Sequence, residues 1–239
     1  MLKHRKLLMA IGCTVAAGGL LGLLRPGERE PMYQGRSASG WFTVYYKSDR
    51  TGSNAQREIA VTAIKAMGTN AFPVLLRQIE YEIPSWCDTV GRRWPAGVAK
   101  RLLGSSLVRA TVVRKLERAE AARTLLVQLG TNAVSTVPKL TIMIQDRNHA
   151  QTSIRAGCVL SYVGPEGFQT LVAALARTNQ PFRQDVLSFI AFSAPVVGTN
   201  TCLPPLRAAL EDPDPEVRIT ATNLVEYLTK HQESSSGTQ

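Results

Sequence analysis

A chain of 239 residues and 26.0 kDa is long enough for one or two domains with a sizeable core. Apolar residues at 44% and charged residues at 19% exclude a wholly disordered chain, while 3 His and 4 Cys argue against a His-rich metal enzyme or a disulfide-stapled mini-protein. Lys and Arg (28) exceed Asp and Glu (18) by 10, a surplus that is unevenly distributed.

Residues 1–6 carry Lys3, Arg5 and Lys6, and residues 7–24 contain no charge. Eighteen residues at about 1.5 Å rise span roughly 27 Å, close to the hydrocarbon thickness of a bilayer. The basic amino end predicts a cytoplasmic N-terminus with the following chain exported to the periplasm or cell envelope. Two fates stay open for residues 1–30. Cleavage as a signal peptide has Ala16-Ala17-Gly18 to act on, whereas Leu20, Leu21, Leu23 and Leu24 continue as an uncleaved anchor would.

Residues 31–53 form the next unit, with a short helix over 37–46 begun by Ser37 or Ser39. It contains Trp41 and covers the exposed end of the helical units that start at residue 54. A sticky patch made of Trp41, Tyr45 and Tyr46 is the competing reading.

From residue 54 onward the chain repeats itself. Met67-Gly68-Thr69-Asn70-Ala71, Leu129-Gly130-Thr131-Asn132-Ala133 and Val197-Gly198-Thr199-Asn200-Thr201 share one turn, and Val163-Gly164-Pro165-Glu166-Gly167 is a variant of it. The glycines are spaced 62, 34 and 34 residues apart. Glycine after a helix accepts a left-handed conformation, and Thr, Asn or Pro beside it starts the next helix.

Counting back 8, 5, 4 and 1 from each glycine gives Ala60, Ala63, Ile64, Met67; Ala122, Leu125, Leu126, Leu129; Ala156, Val159, Leu160, Val163; and Ile190, Ser193, Ala194, Val197. Ala221, Leu224, Val225 and Leu228 repeat the spacing. Only Ser193 is polar, and these offsets put each set on one stripe of an α-helix. Second apolar runs follow over Phe72–Ile79, Val134–Ile144, Phe168–Leu175 and Leu203–Leu210. Each unit is a helix–turn–helix that must bury its stripes against a neighbour.

These features resemble the HEAT-repeat family within the armadillo-like superhelices, in its short-repeat exported bacterial form. The resemblance rests on the apolar-Gly-x-x-Ala turn, on Pro73, Pro138 and Pro204 early in second helices, and on Asp212-Pro213-Asp214-Pro215-Glu216-Val217-Arg218, in which Asp214 is placed to cap a helix. The stretch Tyr33-Gln34-Gly35-Arg36 before Trp41 is similar to the lead-in of such exported proteins. The resemblance implies an all-α, right-handed α-solenoid of about five helical pairs over 54–230, behind an N-terminal hydrophobic helix. It also implies binding of another protein, on the face formed by the second helices, where Arg77, Gln78 and Lys139 are candidate contacts.

Residues 81–113 interrupt the repeats. They hold Trp86, Trp94, Arg92, Arg93, Lys100, Arg101 and Arg109, and are read as an insertion with one or two helices. Leu102-Leu103-Gly104 keeps a degenerate repeat open as an alternative. Residues 81–118 carry 8 basic and 3 acidic side chains (net +5), whereas 179–239 carry 4 and 7 (net −3). That polarity can steer a charged partner. The insertion therefore offers a second binding mode, to an anionic surface such as lipid headgroups or polysaccharide. Nucleic acid is not expected, because no helix presents a dense row of cations.

Chemistry finds little to build on. His4, His149 and His231 are isolated, and no His-x-x-x-His, Cys-x-x-Cys, Gly-x-Ser-x-Gly or Gly-rich phosphate loop occurs. No cofactor, metal or catalytic residue is expected. Cys158 and Cys202 are read as two small thiols, with a disulfide as the alternative. Residues 231–239 are expected to be an unfolded polar tail.

Overall fold

The computed structural model describes residues 30–177 and 182–236; the expected signal or anchor segment lies outside them. The described chain is all-α apart from one small hairpin. Met32–Tyr33 and Arg36–Ser37 pair antiparallel across Gln34 (φ 48°) and Gly35 (φ 73°), both left-handed as a tight two-residue hairpin requires. The Ser37 hydroxyl then accepts from the Gly40 N–H and starts α1, Ala38–Thr51. This helix runs five residues beyond the expected end, to Gly52, whose left-handed backbone (φ 71°) terminates it.

Two of the three aromatics in the competing patch reading are core, and Tyr46 is half-buried. Trp41 and Tyr45 are buried; the Trp41 indole N–H donates to the Tyr33 carbonyl (2.9 Å), and Arg36 lies 4.8 Å from its ring centroid. The hairpin folds against α1, and α1 packs on the helices at Asn54–Met67 and Arg114–Leu129. The Tyr46 hydroxyl donates to Glu117 at 2.5 Å, tying α1 to a helix 71 residues further along the chain.

Helices α2 (Asn54–Met67) and α3 (Phe72–Ile79) are joined by a tight turn, Gly68–Ala71. Together they form the one described stretch long and apolar enough, by composition, for a membrane span. However, Gly68 breaks the helix, and Ala60, Ala63, Ile64, Leu75 and Ile79 are sealed in the protein core. This stretch is therefore a helical hairpin within the fold.

The interruption of the repeats holds two short helices, α4 (Ser85–Arg93) and α5 (Ala96–Leu103). A short helical piece, Ser106–Val108, and a π turn, Arg109–Val113, then lead into α6, Arg114–Leu129. The remaining helices are α7 (Val137–Ile144), α8 (Ala150–Leu160), α9 (Pro165–Leu175), α10 (Arg183–Phe192), α11 (Thr199–Ala208) and α12 (Pro215–Ser236). Asp214 caps α12 as expected, accepting from the Glu216 N–H at 2.9 Å. Residues 231–236, expected to be unfolded, continue that helix, since nothing in Glu226–Ser236 supplies a Gly or Pro stop.

The apolar stripes are buried in α2, α6 and the α8 unit, and Ala221 and Leu228 of α12 are buried too. The stripe at 190–197 is interrupted: α10 ends at Phe192, and Ala194–Val197 forms a separate turn around Pro195. Ile190 and Ser193 remain buried, while Ala194 and Val197 are only partly covered. Successive first helices touch, α6 on α8, α8 on α10 and α10 on α12, and α7 touches α9. A single apolar cluster runs from Ala38 to Leu228.

All four repeated glycines have positive φ, at 57° (Gly68), 53° (Gly130), 111° (Gly164) and 88° (Gly198). Their ψ values of −141°, −130°, −163° and 143° differ from the left-handed helical value expected for a helix stop. This extended, positive-φ region is essentially restricted to glycine, so the requirement is stricter than a simple cap imposes. Gly104 has φ −82° and does not repeat the turn. That difference separates 81–113 from the repeating units.

Candidate functional site

Two surfaces stand out, one basic and one apolar. The first is the α4–α5 excursion. Alternation of a few apolar residues with Arg and Gly gives helices too short and too polar to hold a core of their own. Only Val90 and Ala99 are buried in them, and both lie outside the continuous apolar cluster. Meanwhile α3 packs directly on α6, so the main stack closes without the excursion.

The expected binding residues gather here. Trp86 (42%) and Trp94 (48%) are exposed, as are Arg92, Arg93, Lys100, Arg101 and Arg109. Arg92 pairs with Asp88 at 2.9 Å, but both side chains are well solvated, so the pair contributes little. Arg93, Lys100, Arg101 and Arg109 form no ion pair among the described residues. Two further cations at the base of the excursion sit near aromatic rings: Lys115 lies 5.8 Å from Tyr81 and Arg118 lies 5.6 Å from Phe42.

Arg77 and Lys139 do not join this cluster. Both lie on second helices, and Lys139 is engaged with Glu80 at 2.8 Å, bridging α7 to the end of α3.

The second surface has no counterpart among the sequence expectations. A cleft of about 450 Å³ opens between α10, the Ala194–Val197 turn, the start of α11 and α12. Ala191, Leu224 and Leu228 line it, and Phe192 (50% exposed) and Tyr227 (56%) stand at its edge. The Tyr227 and His231 rings lie 4.1 Å apart, and the His231 Nδ1 is 2.8 Å from the Tyr227 carbonyl. Gln232 reaches across to Asn200 at 3.0 Å. The signal available in the sequence is Pro195, which breaks the fourth stripe and leaves the cleft where a regular first helix would lie.

No group of three or more His, Cys, Asp or Glu side chains converges on a metal-sized space among the described residues. His149 is paired with Asp146 at 2.7 Å on the open surface, and the Asp146 hydrogen bond raises its pKa. Cys158 and Cys202 are not joined. Burial pushes the Cys202 thiol up to about 11, while Cys158 accepts from Arg123 Nη1 at 3.2 Å.

No family model, curated protein or solved structure matches the chain. These two surfaces are therefore the guide to function.

A buried polar hub lies at the root of the excursion. The Arg155 side chain is 3% exposed and donates to Glu120 (2.7 Å), Gln151 (3.1 Å) and the carbonyls of Ile79 (3.2 Å) and Tyr81 (2.6 Å). The Thr152 N–H donates to Glu82 at 2.6 Å. These bonds hold the point at which the chain leaves α3 for the excursion. Glu120 and Arg155 lie 35 residues apart, close to the 34-residue unit, which is the one sequence signal for the pair.

Proposed function

We propose that the protein is a non-catalytic scaffold of the HEAT-like type, a right-handed α-solenoid that binds another protein at the cell envelope. The order of packing supports the solenoid reading, because each first helix lies on the next and no unit closes its core alone. The uncharged run at 7–24 supports the envelope location.

The observation that carries the binding role is the apolar cleft between α10 and α12. Phe192 and Tyr227, which line it, are each about half exposed, beside the partly covered Leu224 and the buried Leu228. Exposed aromatics at the edge of an apolar cleft are characteristic anchors for a partner side chain. An amphipathic segment of the partner fills this cleft, with its apolar face against Leu224 and Leu228.

Site-specific photo-crosslinking in cells tests the reading. A photoreactive residue at Phe192 gives a discrete protein adduct, lost when Leu224 is changed to Asp, whereas the same group at exposed Ile142 does not. Equal labelling at 192 and 142, or no adduct at 192, overturns it.

A further inference from the structure

The excursion carries a feature that a solvated loop does not need. In α5, Ala99 and Leu103 are covered to differing degrees on the inner side, and Val98 (49%) and Leu102 (37%) form a second apolar stripe facing solvent. Trp94, at the junction with α4, and Trp86, in the first turn of α4, are exposed as well. Residues 85–115 contain seven cations (Arg92, Arg93, Lys100, Arg101, Arg109, Arg114, Lys115) and one carboxylate (Asp88), a net +6. An α-helix with an exposed apolar stripe beside its buried side, bordered by Lys and Arg, suits one environment well: the boundary between headgroups and acyl chains of an anionic bilayer.

We propose that α4 and α5 form a membrane-surface anchor, independent of the cleft, that lies flat on anionic lipid. Trp86, Trp94, Val98 and Leu102 enter the interface, where Trp partitions well, while Arg93, Lys100 and Arg101 meet lipid phosphates. Charge complementarity and the uncharged run at 7–24, which is long enough to span a bilayer, select lipid over a protein partner for this surface. The weak attachment of the excursion to the core lets it tilt onto a flat surface without disturbing the stack.

Tryptophan emission tests the proposal directly. The chain has three tryptophans, and Trp41 is 7% exposed, so only Trp86 and Trp94 are placed to meet lipid. The full-length chain is incorporated into vesicles of phosphatidylglycerol and phosphatidylcholine with brominated acyl chains, and into phosphatidylcholine vesicles with the same brominated chains as the neutral control. Anionic vesicles quench the emission and neutral ones do so weakly. Trp86→Phe with Trp94→Phe leaves only the unquenched emission of Trp41, whose maximum, shifted to the blue of the parent chain's as a buried indole requires, reports an intact fold. Each Lys or Arg near an anionic surface is worth about a fivefold preference, so changing Arg92, Arg93, Lys100 and Arg101 to Gln weakens the contact by about a hundredfold or more. Equal quenching in both vesicles, or quenching retained by the double Trp variant, overturns the proposal. So does emission that responds to duplex DNA and not to anionic vesicles.

Discussion

Arg155 Nε donates to Glu120 Oε1 at 2.7 Å, joining α8 to α6, while the same guanidinium caps the carbonyls of Ile79 and Tyr81 at the end of α3. One side chain therefore fastens three successive units at the point where the excursion departs. Arg155→Met removes the donor of the Tyr81 carbonyl and one of the donors of the Ile79 carbonyl and of the half-buried Glu120 carboxylate, which keeps Arg123. We expect a loss of about 3 kcal/mol, read as a lower urea midpoint with an unchanged slope. Gln at Glu120 loses less, because that group is nearly half exposed.

The same pair makes stability depend on acid. Burial raises the Glu120 pKa, but hydrogen bonds from Arg155 and Arg123, with their charges, outweigh it and hold the carboxyl below its ordinary range. A carboxylate with a depressed folded pKa contributes stability above its unfolded pKa, and that contribution is lost as pH falls through the folded value. Thermal scans from pH 6 downward should show the melting temperature falling below about pH 4.5. The Glu120→Gln variant should fall less steeply.

Arg183 forms a two-pronged ion pair with Asp212, both side chains about one-tenth exposed, and this draws the Asp212 pKa down and the Arg183 pKa up. Asp212→Ala strands the cation where α10 meets the loop before α12, at a cost of about 2–3 kcal/mol. The cap on the same loop is worth less. Asp214→Ala removes only the bond to the Glu216 N–H and costs about 1 kcal/mol. Chemical denaturation of the two variants should rank them in that order.

A Cβ on Gly167 would collide with the Leu160 carbonyl oxygen, which belongs to backbone and cannot swing away. Gly167→Ala therefore forces α9 away from α8 and costs about 2–3 kcal/mol. Gly97 faces open space inside α5, so Gly97→Ala should be neutral or stabilise slightly through helix propensity. Hydrogen exchange at Leu160 and Leu171 separates the two: protection falls in the first variant and is unchanged in the second.

The thiols give a test of burial in solution. Cys202 is fully buried with its pKa pushed up to about 11, whereas Cys87 and Cys158 are partly accessible. Iodoacetamide at pH 8 should modify Cys202 last, and only as fast as the protein opens. Mass spectrometry of the native protein under non-reducing conditions should find no bond between Cys158 and Cys202.

The helix pairs are legible because their signal is periodic. Each repeated glycine sits at a positive φ, and the stripe counted back from Gly68, Gly130 and Gly164 is buried residue for residue. Distant contacts set the features that periodicity does not reach. The hairpin at Tyr33–Arg36 depends on Gln34 accepting a left-handed backbone, which propensity does not favour for Gln. The burial of Trp41 depends on Tyr33 and Arg36 folding over it. The cleft beside α12 exists because Pro195 divides a helix that the apolar spacing alone predicts to be continuous. The tail helix through Ser236 has no apolar pattern to announce it. For the candidate surfaces, the basic cluster is visible as composition, but the outward stripe of Val98 and Leu102 appears only once the inner side of α5 is known.

The direct seating of α3 on α6 has an evolutionary corollary. Because the scaffold is continuous without α4 and α5, selection can rewrite, enlarge or discard that cassette while leaving the rest of the molecule untouched. The cassette is free to diversify faster than the frame that carries it.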